Sequence, residues 1–119
     1  GMGSAWSQTV VLVATEFGRT AAANGTGGTD HGTGAVAMLL GGAVQGGHVL
    51  ADWPGLDSAH LYEGRDLQPT ANVDALIASV AGECFGLDPQ RLKRSLFAQS
   101  GALPGGAAAG LAMPRLIRA

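Results

Sequence analysis

Charged side chains are scarce in this chain of 119 residues, because Asp, Glu, Lys and Arg together make up 13%. An average globular domain has about 25%. The 9 acidic and 7 basic residues leave a formal net charge of -2, so there is no basic surplus to displace counterions from nucleic-acid phosphates. The sequence therefore predicts no nucleic-acid partner. The hydrophobic share of 46% also argues against intrinsic disorder, which goes with low hydrophobicity and high charge.

Cysteine is limited to Cys84, which excludes an intramolecular disulfide and a zinc site made of cysteines alone. No apolar run approaches the 18 residues of a membrane-spanning helix, so we expect no membrane span. The N-terminus has no charged stretch followed by an apolar one, so no secretory signal is predicted. Gly1 before Met2 is typical of a residue left by tag cleavage, and residues 1–8 are assigned to an N-terminal segment.

The rest of the chain is predicted to be a single α/β domain over residues 9–100, followed by a low-complexity Gly/Ala-rich tail over 101–119. Residues 9–15 form an apolar, β-branched run, typical of a strand buried on both faces. A second apolar run over 35–40 indicates another buried strand. Between them, residues 21–34 are rich in glycine and predict a loop, and Gly46–Gly47 predicts the turn of a small hairpin.

Two helices are predicted in the second half of the chain. Asn72 is a suitable N-cap for the first, and Gly86 suits the position just after its end. Between them one apolar stripe recurs at helical spacing, and its members are Val73, Leu76, Ile77, Val80, Ala81 and Cys84. This stripe predicts a buried Cys84. Asp88–Pro89 is typical of the start of a second helix, which we expect to end near Leu96.

Two acidic positions are candidates for chemistry. Glu16 directly follows the first predicted strand, and ligands in open α/β sheets lie at the carboxyl ends of strands. It is therefore a candidate metal ligand or general base, or else a surface carboxylate paired with Arg19. Asp30 and His31 are adjacent in the glycine-rich loop, and carboxylate and imidazole together suit Zn²⁺. The alternative is a turn in which Asp30 caps backbone N–H groups and His31 is exposed.

Two other signals are weak. The spacing Gly32-x-Gly34-x-x-Ala37 is similar to a dinucleotide-binding fingerprint, but that fingerprint needs a strand before it and a helix after it. A strand over 35–40 argues against a nucleotide-binding domain. No serine lies in a Gly-x-Ser-x-Gly turn, so the sequence gives no support to a serine hydrolase.

Several stretches, taken together, carry a family resemblance: residues 11–20 with Glu-Phe-Gly-Arg-Thr, 24–32 with Asp-His-Gly, 39–47 with two Gly-Gly pairs, and 64–70 with Gly-Arg-Asp. From about residue 9 to 98 the chain resembles the C-terminal part of the bacterial family called domain of unknown function 1501 (DUF1501). That family is similar to the alkaline phosphatase and sulfatase superfamily. The resemblance implies a partial sheet of an alkaline-phosphatase-like fold with flanking helices.

The resemblance also implies a function, namely hydrolysis of phosphate or sulfate esters with a divalent metal such as Zn²⁺, Ca²⁺ or Mg²⁺. By position, Glu16 matches the first carboxylate ligand and His31 the later histidine. Asp30 is then a ligand or an orienting neighbour, and Arg19 binds an anionic oxygen of the ester. Phe17 stands where a ligating histidine is usual, which favours the alternative of a non-catalytic structural or binding module with a decayed metal site.

The resembling family differs from this chain in extent. Its members are usually far longer and often exported, and their nucleophile and first carboxylate ligands lie upstream of the part matched here. We therefore expect this chain to lack a catalytic residue of its own and to be inactive alone. A partial sheet leaves strand edges unpaired, and unpaired edges promote self-association, so a homo-oligomer is predicted, with the edges and the Gly/Ala tail buried between copies.

Overall fold

The computed structural model describes residues 1–104 and 111–118. A short 3-10 helix comes first, followed by four strands and two helices. In chain order these are the 3-10 helix Gly3–Gln8, β1 Val11–Val13, β2 Gly18–Arg19, β3 His31–Gly32, β4 Met38–Leu40, α1 Val73–Phe85 and α2 Pro89–Leu96. The protein is thus a mixed α/β structure in which the strands lie in the first third of the chain and the helices follow.

The strands form two antiparallel ribbons, one inside the other along the sequence. The outer ribbon pairs β1 with β4, with Leu12 opposite Leu39, and the inner one pairs β2 with β3. The prediction of strands in both apolar runs is confirmed, but the expectation that the first is buried on both faces is wrong. Leu39 packs towards the core, whereas the opposite face is exposed in the described structure and carries Val11, Val13, Met38 and Leu40.

The inner ribbon corrects the expectation that residues 21–34 hold no regular element, because β3 lies within them. Gly18 pairs with Gly32, and these glycines are needed for a close approach of backbones. A Cβ at Gly18 would overlap the carbonyl group of Gly34, and one at Gly32 would run into the backbone of Arg19. Glycines, whose abundance predicts a loop over residues 21–34, are here what lets the two strands approach each other.

Both helices form as predicted. The Asn72 side chain accepts the N–H of Asp74 at 2.8 Å at the start of α1, and Gly86 ends that helix at φ 64°. The Asp88 side chain accepts the N–H of Gln90 at the start of α2. The prediction that Cys84 is buried is wrong, since its side chain is exposed; the apolar stripe of α1 continues beyond the part of the helix that the core covers.

The core forms where α1 meets residues near both ends of the chain. Val80 of α1 packs with Leu116 and Ile117, and partly buried residues surround them, namely Val10, Leu39, Ala43 and Leu76. The predicted hairpin around Gly46–Gly47 is absent from the described residues; Val44 instead forms an antiparallel bridge with Ile117. In this pairing Ile117 packs against Val80 of α1 in the core cluster, and this burial favours the bridge over a local hairpin.

Within the described ranges, neither helix has the length and apolar character needed to cross a membrane. Of the Gly/Ala-rich tail predicted over 101–119, residues 105–110 and 119 lie outside the part of the chain that the structure describes.

Candidate functional site

The inner ribbon is fixed to the rest of the protein by Asp66, which is only 3% exposed. Its backbone forms antiparallel bridges with Thr20 on one side and Tyr62 on the other. Its side-chain Oδ2 accepts the backbone N–H of Thr33, just after β3, in a short hydrogen bond. Asp66 therefore links the ends of both strands of the ribbon: its backbone pairs with Thr20 after β2, and its carboxylate holds Thr33 after β3, 33 residues away in sequence.

Electrostatics at Asp66 favour the ionised form. Burial by itself raises the pKa of this carboxyl, but the backbone N–H and hydroxyl of Thr33 and the N–H groups of Gly34 and Leu67 favour the charged form. Together these donors hold the pKa of Asp66 below its ordinary value. The other oxygen, Oδ1, is buried and has no hydrogen-bond partner among the described residues, so the carboxylate is stabilised from one side.

One face of the inner ribbon carries three side chains that lie together. Arg19 and His31 are directly opposite in the strand register, and such cross-strand pairs have Cβ atoms about 5 Å apart on the same face. The Phe17 ring stacks on the His31 imidazole, with centroids 5.0 Å apart and planes at 28°. We call Phe17, Arg19 and His31 the ribbon face.

The ribbon face borders an open cavity of about 400 Å³. Its remaining lining is small or apolar apart from the Thr15 hydroxyl, and consists of Thr15, Gly18, Gly34, Ala35 and Val36. The Arg19 guanidinium is steadied by one hydrogen bond, in which Nη1 donates to the Thr29 carbonyl at 2.8 Å. Its other N–H groups have no partner within the described ranges, so they are available to a ligand. A guanidinium beside an imidazole suits an anion with several oxygens.

The predicted ligand Asp30 is held by different contacts from its neighbour His31. Its Oδ1 accepts the Asn24 side-chain amide at 3.0 Å, and its backbone exchanges two hydrogen bonds with Thr20, each 3.1 Å long. Neighbouring strand residues point to opposite faces, which accounts for the separation. The Asp30 carboxylate thus closes the loop over Asn24 and does not line the cavity of the ribbon face.

The predicted ligand Glu16 is exposed and likewise does not line that cavity. Over residues 1–104 and 111–118, no three His, Cys, Asp or Glu side chains come close enough to hold a metal ion together. The described residues therefore do not by themselves fit a metal centre, because a closed protein site for Zn²⁺ needs about four ligands, and an open one three.

Asp66 is the residue of this region that the sequence analysis missed. It lies in the Gly64–Thr70 stretch that carried part of the resemblance, but no spacing argument connected it with His31. A usable signal was its position between Gly64 and Pro69, since a carboxylate among turn residues commonly accepts backbone N–H groups. The partner segment, 33 residues upstream, is not deducible from local sequence.

Comparison with known families supports the DUF1501 part of the resemblance. A family model described as "Protein of unknown function (DUF1501)" matches residues 1–96, and the chain belongs to this family. No curated protein and no solved structure matches the chain.

Proposed function

From membership of the DUF1501 family as the premise, we propose that this chain supplies an anion-binding face to a phosphate- or sulfate-ester hydrolase-like protein with an alkaline-phosphatase-like fold. The observation that supports the proposal best is the ribbon face, where Arg19 and His31 lie opposite each other beside an open cavity. The guanidinium binds two oxygens of the ester group at once, and the imidazole binds a third.

The proposal assigns this chain a role in binding the ester and not in its catalytic turnover. Among the described residues no carboxylate borders the cavity, and one hydroxyl does, at Thr15, whose Oγ1 already accepts the Phe17 N–H at 3.2 Å. Catalysis of phosphoryl transfer depends on positioning and on stabilising charge over several oxygens at once. The face alone orients an anion, and we expect hydrolysis to require groups that are not gathered at this cavity.

Binding of inorganic phosphate, measured by isothermal titration calorimetry, tests the proposal. Replacing Arg19 by Gln removes a charge-assisted contact of about 1.5–3 kcal/mol, so we expect affinity to fall roughly tenfold or more. Arg91→Gln, on exposed α2, is the matched control and should leave binding unchanged. Equal affinity of the wild type and both variants would remove the anion-binding role.

A divalent metal is part of the proposal only because Glu16, Asp30 and His31 are predicted ligands. We assign the metal no chemical step, because the described residues do not gather into a metal centre. Zinc titration of the wild type, Glu16→Gln and His31→Ala tests it. Zinc binding by these residues would be seen as uptake that each substitution reduces. No uptake would rule out all three residues as ligands, and equal uptake in the three proteins would rule out Glu16 and His31.

A second candidate function is a non-catalytic structural or binding module that associates with itself. It is favoured by the exposed aliphatic face of the outer ribbon, where Val11, Val13, Met38 and Leu40 lie side by side, and by Phe17 at a position where the resembling families have a ligand. Exposed patches of this kind commonly mark interaction surfaces. Light scattering should then give an oligomer that Val13→Ser weakens, whereas a strict monomer at micromolar concentration would contradict it.

A further inference from the structure

The C-terminal segment Arg115–Arg118 supplies Leu116 and Ile117 to the core cluster although it lies outside residues 1–96, which match the family. Leu116 is 3% and Ile117 6% exposed, and with Val80 they are the buried centre of the aliphatic cluster. The family-matched part of the chain therefore presents an apolar groove, formed by Ala43–Gln45 and the Val80–Glu83 part of α1, which this segment fills.

The segment enters the groove as an added strand. The Gln45 N–H donates to the Leu116 carbonyl at 2.8 Å, and the Arg118 N–H donates to the Ala43 carbonyl at 2.8 Å. Val44 and Ile117 face each other between these two hydrogen bonds as an antiparallel bridge. Main-chain pairing of this kind is how many proteins bind extended peptides, with apolar side chains providing the specificity.

Glu83 completes the recognition from the helix side. Its carboxylate accepts the Leu116 N–H at 3.0 Å and the Ile117 N–H at 2.8 Å. A carboxylate in the last turn of a helix opposes the helix dipole, and α1 has no basic residue there. The two N–H groups of the segment stabilise the carboxylate and offset this repulsion.

We propose that this groove is a binding site for extended peptides with two consecutive aliphatic residues, and that Arg115–Arg118 is its displaceable intramolecular ligand. Among the described residues, the hydrogen bonds across the groove go to backbone groups of the segment, and its Leu116 and Ile117 side chains pack into the core cluster. The side chain of Arg115 binds within the segment itself, donating from Nε to the Ile117 carbonyl. Nothing in these contacts depends on the peptide belonging to the same chain.

Space beside the segment supports displacement. A cavity of about 700 Å³ adjoins it, bordered by Thr9, Glu83, Cys84, Ile117 and Arg118. The segment therefore borders open space at its Ile117–Arg118 end, which leaves a route for it to leave and for another peptide to enter.

Amide hydrogen exchange in the unmodified full chain tests whether the segment is displaceable. The Leu116 and Ile117 amides should exchange by local opening, at least tenfold faster than the most protected amides of α1. If they exchange only with global unfolding, the segment is a fixed part of the fold and the proposal is wrong. This measurement needs no substitution, so it decides the matter even where a variant fails to fold.

Peptide binding tests the recognition. The full chain carrying Leu116→Ser and Ile117→Ser has an unfilled groove, and the sole cysteine, exposed Cys84, carries a fluorophore beside it. A synthetic peptide of residues 111–118 should bind saturably, and the same peptide with both serine substitutions should not. Provided that circular dichroism shows the helices intact, absence of binding by the unsubstituted peptide would overturn the proposal.

The role of Glu83 is tested in the same labelled protein. Glu83→Gln replaces the charged acceptor of the two peptide N–H groups by a neutral amide, so affinity for the peptide should fall roughly tenfold or more. Glu63→Gln, at an exposed position with no side-chain hydrogen bond in the described structure, is the matched control and should leave affinity unchanged. Equal affinities would mean that Glu83 does not recognise the peptide.

Discussion

Two regions of this chain hold a distant backbone segment with one carboxylate, and they do so under opposite conditions. Asp66 holds Thr33 from within a glycine-lined contact, where Gly18 and Gly32 let strands approach closely. Glu83 holds Leu116 and Ile117 beside an aliphatic cluster. The first region depends on glycines, which have no side chain, whereas the second depends on buried aliphatic side chains. Added atoms should therefore disrupt the ribbon face, and removed atoms should disrupt the groove.

Truncation in the groove should have the largest effect. Leu116→Ala removes most of a buried side chain from the core cluster, and such substitutions cost about 2–5 kcal/mol of unfolding free energy. Leu96→Ala on α2, where the leucine is exposed, is the control, with an expected cost below about 1 kcal/mol. Urea denaturation measures both. Equal losses would mean that the segment does not complete the core.

Addition at the ribbon should come next. Gly18→Ala places a methyl group against the Gly34 carbonyl, and overpacking of this kind costs about 1–3 kcal/mol. Gly25→Ala is the control, since nothing lies within 4 Å of a Cβ there. Thermal unfolding of the two variants separates them. A Gly18→Ala protein as stable as the control would mean that the ribbon does not require glycine.

Acid should weaken the ribbon before it affects the groove's aliphatic contacts. The folded pKa of Asp66 is lowered, because the Thr33, Gly34 and Leu67 donors outweigh its burial. Its stabilisation is therefore complete above the ordinary aspartate value of about 3.9 and is lost as pH falls through the lowered folded value. We expect a loss on the order of 1 kcal/mol, measured by urea denaturation at pH 6 and below.

The controls for this acid effect are two substitutions. Asp66→Asn should be less stable at pH 6 and should lose less on acidification than the wild type. The pKa of Asp57 is also lowered, mainly by its hydrogen bond with His60, but both side chains are exposed and water screens their interaction. Asp57→Asn should therefore keep the wild-type pH dependence. If it abolishes that dependence instead, Asp66 is not its source.

The smallest effect is expected at Cys84. Because its side chain is exposed, Cys84→Ser should change the unfolding free energy by less than about 0.5 kcal/mol. The helical stripe in the sequence predicts a buried cysteine, for which a polar replacement costs clearly more. Denaturation of this variant therefore distinguishes the structure from the sequence pattern.

Features that depend on neighbouring residues could be predicted from the sequence, and features that join distant residues could not. The helix boundaries at Asn72, Gly86 and Asp88 depend on caps within a few residues, and these predictions are confirmed. The pairing of β1 with β4 and the bridge from Val44 to Ile117 join distant residues. No local pattern distinguishes the chosen partner from other apolar runs.

The candidate site was only partly predictable, for the same reason. Adjacency of Asp30 and His31 in sequence suggested a shared ligand, but strand alternation gives them different surroundings. Arg19 and His31, twelve positions apart in sequence, come together because Gly18 and Gly32 allow the ribbon to form. Recognising that required knowing the strand register, which the glycine-rich composition obscured.

The anion-binding role of the ribbon face is tested most directly by NMR of the histidine side chains during titration with sodium sulfate at constant ionic strength. The chain has three histidines, so His48 and His60 are internal controls. We predict that the His31 resonances shift saturably, that those of His48 and His60 stay in place, and that Arg19→Gln abolishes the shift. Unmoved His31 resonances, or equal shifts of all three histidines, would contradict it.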